Sequence, residues 1–350
     1  MSFSVKPETA IRHLKSALLR QLRNPVHMGH RYLQSVKRGR ELELAQDNTA
    51  HIRPADVLLF ATLRNEAVRM PFFLDYYRRL GVHHFLLVDN GSTDGFRDQV
   101  RRQDDVSVWT TTASYADANY GMHWLNALLR RYGCDHWCVT CDPDEFLVFP
   151  YCDQRTLAEL GAFLESEHRR SLSCVMLDMY SDRPLDQTVY RSGDDPFVLA
   201  PFFDGSGYTQ RYGFLDDQYT RGGVRRRVFF RDDPERAPAL NKTPFVKWHR
   251  SYSYFTSMHQ IVPGWLNAAS GARHRTPTGC LLHFKHFSLL RDKVREELVR
   301  GEHWQDSFEY RRYDQRLEGG EGSFRCDGSI AYRDWRQLAR LGFVNVGQWF

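Results

Sequence analysis

The chain has 350 residues, of which 42% are hydrophobic and 26% are charged, and its formal net charge is +5. This composition supports a sizeable core, and no stretch approaches the roughly 18 uncharged apolar residues of a membrane-spanning helix. The mild positive charge fits an anionic substrate or membrane surface, and because no zinc-finger, basic-zipper or RNA-recognition signature occurs, we expect no nucleic-acid partner.

The cysteines and the start of the chain indicate a cytoplasmic protein. The seven cysteines form no tight framework, which is typical of reduced thiols. Residues 1–10 are polar, whereas an export signal needs an apolar segment near the N-terminus. Cys134, Cys138 and Cys141 are close enough in sequence to raise zinc as an alternative, but two of them fall within a predicted strand, and buried thiols are the better interpretation.

The first fifty residues predict a basic helical extension. Leucine and isoleucine recur at helical spacing between arginines and lysines in residues 11–23, and further basic residues follow up to residue 40. Such a helix either packs on the rest of the domain, which we favour slightly, or lies on an anionic membrane through residues 11–40. The second alternative makes the protein peripheral at the inner face of the membrane.

From residue 56 onward, strand and helix patterns alternate. Short apolar runs predict strands at 57–62, 84–89, 106–110 and 137–141. Amphipathic patterns predict helices at 71–81 and 119–132. This alternation predicts an α/β fold in which a mostly parallel sheet is covered by helices on both faces.

The second half of the chain is less regular. Helices are predicted at 157–167 and 288–300, and strands at 174–179, 225–230, 245–248 and 280–287. Residues 181–223 are rich in Asp, Gly, Pro and aromatic residues and are longer than a simple connection needs. They are a candidate acceptor-binding region or lid.

Polar residues follow three of the predicted strands. They are residues 64–66 after the first strand, 89–94 after the second and 142–145 after the fourth. In open α/β sheets, ligands bind outside the carboxyl ends of the strands. The three segments therefore predict one common site.

The segment Asp142-Pro143-Asp144-Glu145 contains three carboxylates. In extended backbone Asp142 and Asp144 point to the same face, so their oxygens can converge on a hard cation such as Mg²⁺ or Mn²⁺. The alternative is a polar turn after a strand, because Asp and Pro are common turn residues. The two other polar strand ends favour the metal site.

Three motifs, in this order, resemble those of family 2-type glycosyltransferases. They are Arg64-Asn65-Glu66, then Leu80-Gly81-Val82 leading into residues 86–95, and then Asp142-Pro143-Asp144-Glu145-Phe146, which is similar to the subgroup with an Asp-x-Asp-Glu-Phe metal motif. The resemblance is good over residues 56–150 and weaker to about residue 290. It implies a GT-A fold, a nucleoside-diphosphate sugar as donor, with UDP expected first, and Mn²⁺ or Mg²⁺ as cofactor.

The resemblance also implies roles for individual residues. The donor-binding residues would be Arg64, Asn65, Glu66, Asp89, Asp94 and Asp142. Asp144 would be the metal ligand, Asp142 would face the metal or the ribose, and Glu145 could orient either. A late histidine commonly completes such a site, and we place His283 ahead of His259 and His286, although a histidine in an apolar strand is often a core residue.

The diphosphate also needs cations, and the acceptor hydroxyl needs a base. Arg225 and Arg227 would share one face of a predicted strand, and Lys242 and Lys247 flank the next apolar run; a solvated basic face is the alternative for each. The candidate bases are Asp178 at a strand end and Asp216 and Asp217 in the irregular segment, and the resemblance does not decide among them.

These observations predict residues 1–50 as the extension, 51–300 as the GT-A domain and 301–350 as a helical tail. Within the domain, 51–150 would be the nucleotide-sugar half and 151–300 the acceptor half. The predicted function is an inverting, metal-dependent glycosyltransferase that acts on a glycan or lipid-linked acceptor in surface polysaccharide synthesis.

Two alternatives remain. A sugar nucleotidyltransferase would need a glycine-rich phosphate loop with a lysine near the first strand, which residues 61–66 lack. A catalytically inactive glycan- or membrane-binding protein of the same fold is disfavoured by the intact carboxylates of Asp142 and Asp144.

Overall fold

The computed structural model describes residues 29, 32–212, 218–267, 276–302, 304–318 and 323–349. The strands are β1 (Glu43–Gln46), β2 (Val57–Leu63), β3 (Val82–Asp89), β4 (Val106–Thr110), β5 (Trp137–Thr140), β6 (Glu145–Val148), β7 (Ser171–Asp178), β8 (Phe202–Asp204), β9 (Thr209–Tyr212), β10 (Gln218–Arg221), β11 (Asn241–Lys247), β12 (Ser253–Thr256), β13 (Gln260–Val262), β14 (Gly279–His283) and β15 (Ser329–Ala331). The helices are α1 (32–39), α2 (Met70–Arg79), α3 (Phe96–Val100), α4 (Met122–Tyr132), α5 (Leu157–Ser166), α6 (Pro196–Leu199), α7 (Leu289–Arg300), α8 (Trp304–Glu318) and α9 (Trp335–Arg340).

Nine strands form the central sheet, in the order β1-β4-β3-β2-β5-β11-β7-β14-β6. The neighbours from β4 to β5 are parallel, as are β7 and β14, whereas β1, β6 and β11 run in the opposite direction. Two-stranded pairs join β9 with β10, β12 with β13, and β8 with β15. The predicted α/β fold is confirmed: a large, mostly parallel sheet is flanked by helices.

The sheet has a core on each face because successive side chains of a strand point to opposite sides. Leu59 of β2 packs in one core with Tyr77 of α2. The adjacent Leu58 and Phe60 pack in the other core with Trp124 of α4. The unbroken apolar run of β2 is therefore the pattern expected of a strand covered on both faces.

Two predicted strands differ from the observed structure. Arg225–Phe229 forms a π-helical turn, not a strand; it follows Gly223, which has φ of +67°, and the amide of Phe230 donates to the carbonyl of Arg225 at 3.0 Å. The strand predicted at 280–287 ends at His283, because the next amide donates to the carbonyl of Asp144 at 2.8 Å and leaves the sheet.

The two ends of the chain differ in what is described. Residues 1–28, 30 and 31 lie outside the described residues, and with them most of the predicted basic extension and of the membrane contact through residues 11–40. At the other end, Trp335, Leu338, Val344 and Trp349 belong to the main core. In the part of the chain that is described, no helix is long and apolar enough to cross a bilayer.

Candidate active site

A cavity of about 360 Å³ lies at the carboxyl ends of the central strands. Its wall includes residues directly after β2, β3, β5 and β14, together with side chains of α7 and α8. The predicted site residues in this wall are Arg64, Asn65, Glu66, Asp142, Asp144 and His283. Residues from separate predicted segments thus meet in one place.

The carboxylate-rich segment forms a turn. β5 ends at Thr140, β6 begins at Glu145, and the amide of Glu145 donates to the carbonyl of Asp142 at 3.0 Å. The extended geometry predicted for Asp142 and Asp144 is therefore wrong, because residues 142–145 form a four-residue turn that contains both. As a result, the two carboxylates face different partners.

Asp144 faces His283, and Asp178 lies behind the imidazole. His283 Nε2 is 3.3 Å from Asp144 Oδ2, and His283 Nδ1 is 2.7 Å from Asp178 Oδ1. Burial disfavours the charged imidazole, but Asp144 and Asp178 outweigh it and raise the pKa of His283 to about 9. Burial likewise opposes ionisation of both carboxyl groups, yet His283 beside Asp144, and Arg225 with His283 beside Asp178, hold the pKa of each acid far below its usual range.

Asp142 and Glu145 face Lys242 of β11. The Lys242 Nζ lies 3.3 Å from Asp142 Oδ2 and also contacts Glu145, and only 3% of the lysine side chain is exposed. Burial raises the pKa of Glu145 to about 7, although Lys242 opposes this shift. The two carboxylates in turn outweigh burial and raise the pKa of Lys242 above its usual range.

The donor set on the Asp144 side fits a divalent cation. Among the described residues, no three His, Cys, Asp or Glu side chains form a preassembled metal cluster. Asp144 and His283 nevertheless border the cavity with one carboxylate and one imidazole, and Mg²⁺ or Mn²⁺ accepts a few such ligands when diphosphate oxygens and water supply the rest. Asp142, which the sequence also proposed as a ligand, is paired with Lys242 instead.

The polar residues after β2 contact α7. Arg64 Nε and Asn65 Nδ2 donate to Glu296 Oε1 at 2.9 and 3.1 Å. Lys293 Nζ donates to the carbonyl of Arg64 at 3.1 Å and to Glu66 Oε1 at 3.2 Å. Three predicted donor-binding residues are therefore at the cavity, where side chains of one helix contact them.

Asp89 and Asp94 do not line this cavity, contrary to the prediction for the donor site. Asp89 is buried; its Oδ1 accepts from the amide of Ser92 at 2.8 Å and its Oδ2 is 3.5 Å from Arg97. Asp94 accepts from the amide of Ala67 at 2.7 Å. Both carboxylates stabilise the turn after β3, a common use of Asp in loops.

The predicted diphosphate-binding cations also lie outside the cavity wall. Arg225 is buried against Asp178 at 2.8 Å, because a buried guanidinium needs an anionic partner. Arg227 forms two bonds to Asp204, at 2.9 and 3.0 Å. Lys247 pairs with Glu165 at 3.1 Å. The predicted strand that placed Arg225 and Arg227 on one face is absent, and the two side chains pair with different aspartates.

Other cations line the cavity. They are Arg64, Arg69, Lys285, Lys293 and Arg300. Lys293 and Arg300 were missed in the sequence, although both lie on the predicted helix at 288–300 and are seven residues apart. That spacing places two side chains on one helical face and was the available signal.

The remaining predicted candidates that the structure describes do not line the cavity. His286 is buried and His259 is partly buried, and desolvation lowers their pKa values to about 4 and about 3. The Asp178 carboxylate is 0% exposed and has both oxygens bonded, which corrects its prediction as the base, because it cannot reach an acceptor hydroxyl. Asp216 and Asp217 lie outside the described residues.

Comparison with known proteins gives a partial structural likeness. No protein-family model matches the chain, and no curated protein matches it. Among solved structures, it is similar to a mannosyltransferase from Pyrobaculum calidifontis in complex with GDP-Man and Mn²⁺, at 23% identity and a TM-score of 0.28. The match covers 46% of this chain and 47% of that one, so the chain spans about half the length of the structure it resembles.

Proposed function

We propose that this chain is a metal-dependent glycosyltransferase. It would move a sugar, with inversion, from a nucleoside diphosphate, UDP being expected first, to a glycan or lipid-linked acceptor in the synthesis of a surface polysaccharide. The protein would act in the cytoplasm, with residues 11–40 as the segment for contact with an anionic membrane.

One observation carries the proposal. Asp144 and His283, which come from different parts of the chain, lie 3.3 Å apart at the wall of a cavity that also contains the Arg64-Asn65-Glu66 motif. A carboxylate, an imidazole and several cations around one polar cavity form a suitable environment for a metal-bound diphosphate.

Each cavity residue has a role in this proposal. A Mn²⁺ or Mg²⁺ ion held by Asp144 and His283 would stabilise the negative charge that develops on the leaving diphosphate. Lys285 and Lys293 would attract the same phosphates, and desolvation at the cavity wall strengthens such contacts. Arg64 and Asn65 would hydrogen-bond the nucleoside.

The acceptor side is less complete. An inverting transfer needs a carboxylate that removes the proton of the acceptor hydroxyl. The buried, doubly bonded Asp178 does not suit that task. Asp216 and Asp217 therefore remain our candidates for the base.

The test is a screen of UDP-, GDP- and CMP-sugars by thermal shift and by donor hydrolysis, with and without Mn²⁺. At least one donor should raise the melting temperature and be hydrolysed only when metal is present. The substitution Asp144→Ala should lower turnover by at least 100-fold at saturating Mn²⁺, because it removes the carboxylate ligand of the metal.

Asp104→Ala is the matched control, since it removes an exposed carboxylate outside the cavity, and its turnover should be unchanged. Near-normal turnover of Asp144→Ala at saturating Mn²⁺ would contradict the assignment. Absence of turnover with every donor, together with absence of any metal-linked thermal shift, would favour a binding protein with this fold.

A further inference from the structure

A line of alternating charges leaves the cavity wall and returns to it. It begins at Asp144 and continues through His283, Asp178 and Arg225 to Glu309 of α8. The His283–Asp178 and Asp178–Arg225 distances are 2.7 and 2.8 Å, and Arg225 NH1 is 3.6 Å from Glu309 Oε1. These contacts lie within a continuous, largely buried network.

We propose that Asp178 is the positioning residue for the metal-binding histidine. Its carboxylate accepts a hydrogen bond from the Nδ1–H of His283, so that Nε2 is the nitrogen that would give up its proton and bind the metal beside Asp144. Arg225 holds Asp178 in this orientation. This inference rests on the proposed function only in requiring that the cavity binds a divalent metal.

The backbone fixes the relation between Asp178 and His283. β7 and β14 are parallel neighbours, and their register pairs Asp178 with His283 directly. The amide of Met179 also donates to the carbonyl of His283 at 2.8 Å. Both side chains are therefore held on rigid strands at the same edge of the sheet, which suits a site that needs accurate placement.

The two oxygens of Asp178 are divided between two partners. Oδ1 bonds His283 and Oδ2 bonds Arg225, so the carboxylate cannot rotate without breaking a buried contact. An imidazole has two nitrogens, and when one of them donates a hydrogen bond, the other is the atom that can bind a metal. Asp178 therefore fixes both the tautomer and the direction of the ring.

The anchor of this arrangement lies in the C-terminal part of the chain. Glu309 of α8 contacts Arg225 and also lies 3.6 Å from Lys285, a cavity cation. Burial opposes ionisation of Glu309, but Lys285 and Arg225 outweigh it and lower its pKa to about 2. Through Glu309, α8 therefore contacts Arg225, the partner of Asp178, and also lines the cavity.

The variant Asp178→Asn tests the inference because an amide can satisfy only one of the two partners. Arg225 requires an acceptor and would take the amide oxygen, which leaves the amide NH₂ facing His283 Nδ1. The imidazole proton then moves to Nε2, the atom needed by the metal. We expect the dissociation constant for Mn²⁺, measured by electron paramagnetic resonance, to rise about 10- to 100-fold.

Asp204→Asn is the matched control. Asp204 is also a buried carboxylate bonded to an arginine, Arg227, but among the described residues it contacts no histidine, and it does not line the cavity. Its Asn variant should lose thermal stability and keep the Mn²⁺ affinity within twofold of the native protein. Equal Mn²⁺ affinity of folded Asp178→Asn and the native chain would overturn the positioning role.

A second measurement on the native protein applies if Asp178→Asn does not fold. With ¹⁵N-labelled histidine, NMR should show His283 protonated at Nδ1 and should show its Nε2 signal shifting on titration with Zn²⁺; the signal is assigned by its loss in His283→Gln. Metal ligation through Nδ1 would overturn the inference. A native protein that binds neither ion would instead overturn the metal-dependent function itself, so the two failures are distinguishable.

Discussion

At the scale of single residues, the turn from Asp142 to Glu145 divides into two electrostatic halves. Asp144 faces an imidazole and the cavity, whereas Asp142 and Glu145 share the amine of Lys242. Lys242 is almost completely buried, and a buried charge is tolerated only with close partners. This lysine therefore neutralises the acids of the turn that do not face His283.

Replacement of Lys242 by Met should destabilise the fold by about 3–5 kcal/mol, because it leaves the buried Glu145 carboxylate without its cation. The loss should be larger at pH 8 than at pH 5.5. The pKa of Glu145, raised by burial to about 7, rises further once Lys242 no longer opposes burial. When the pKa of an acid is higher in the folded than in the unfolded protein, the stability of the fold decreases as the pH rises from the unfolded to the folded pKa. Urea unfolding at both pH values measures the effect.

Lys247→Met provides the control for this prediction. Lys247 lies on the same strand, and its bond to Glu165 is solvent-exposed, so its replacement should cost no more than about 1 kcal/mol at either pH. A pH-independent loss in Lys242→Met would show that the lysine contributes packing alone.

At the scale of secondary structure elements, α7 determines which groups are exposed in the cavity. Its side chains Glu296 and Lys293 bond the residues after β2, and Arg300 bonds Asn90 Oδ1 after β3 at 3.2 Å. These contacts are partly exposed, and such pairs contribute about 0–1 kcal/mol each. A nucleoside that uses the same groups would have to compete with the helix.

Glu296→Ala should therefore tighten binding of the donor nucleotide about fivefold, because a competing pair of about 1 kcal/mol is removed from Arg64 and Asn65. Isothermal titration with Mn²⁺ present measures the change. Asp292→Ala removes the same charge from the same helix and cavity wall, but Asp292 is 81% exposed and pairs with Arg295, so binding should stay nearly constant. Weaker binding by Glu296→Ala would mean that Glu296 itself orients the donor.

The elements differ in how far they could be predicted. The strands β2 to β5 and the helices α2 and α4 follow from apolar periodicity, because each strand is a short apolar run and each of these helices has one apolar face. The short helix α3 was not predicted. The segment at 225–230 could not be predicted in this way. Its apolar residues at 228–230 fit a strand, but the segment forms a π-helical turn in which Arg225 pairs with a buried aspartate on β7, a partner that is distant in sequence.

The site shows the same limit. The position of Asp144 follows from strand ends that converge in an α/β sheet, which depends only on topology, whereas His283 followed only from the family resemblance. Asp142 differs from Asp144 because it pairs with Lys242 of β11. Asp89 lies outside the cavity wall and accepts a hydrogen bond within its own turn. Such partners are set by tertiary packing and are not encoded in the local spacing of the motifs.

At the scale of the whole molecule, the described C-terminal residues pack against the central sheet and its helices. α8 borders the cavity through Glu309 and Tyr310, and side chains after residue 330 enter the core beneath α5 and β6. Trp349, for example, packs against Phe163 of α5 with ring centroids 5.3 Å apart. The predicted tail from 301 to 350 therefore contacts the domain that it follows, and we expect the tail and the domain to unfold together.

Leu338→Ala tests this coupling. Leu338 is fully buried in the main core, so its truncation should cost about 2–5 kcal/mol and shift a single unfolding transition that tryptophan fluorescence and far-UV circular dichroism report together. Leu341→Ala is the control: the same residue type three positions later is 40% exposed, and its loss should stay within about 0.5 kcal/mol. If Leu338→Ala shifts only a separate early transition and leaves Mn²⁺-linked stabilisation unchanged, the C-terminal residues form an independent unit. In that case α8 would stabilise the position of His283 only through the contact of Glu309 with Arg225.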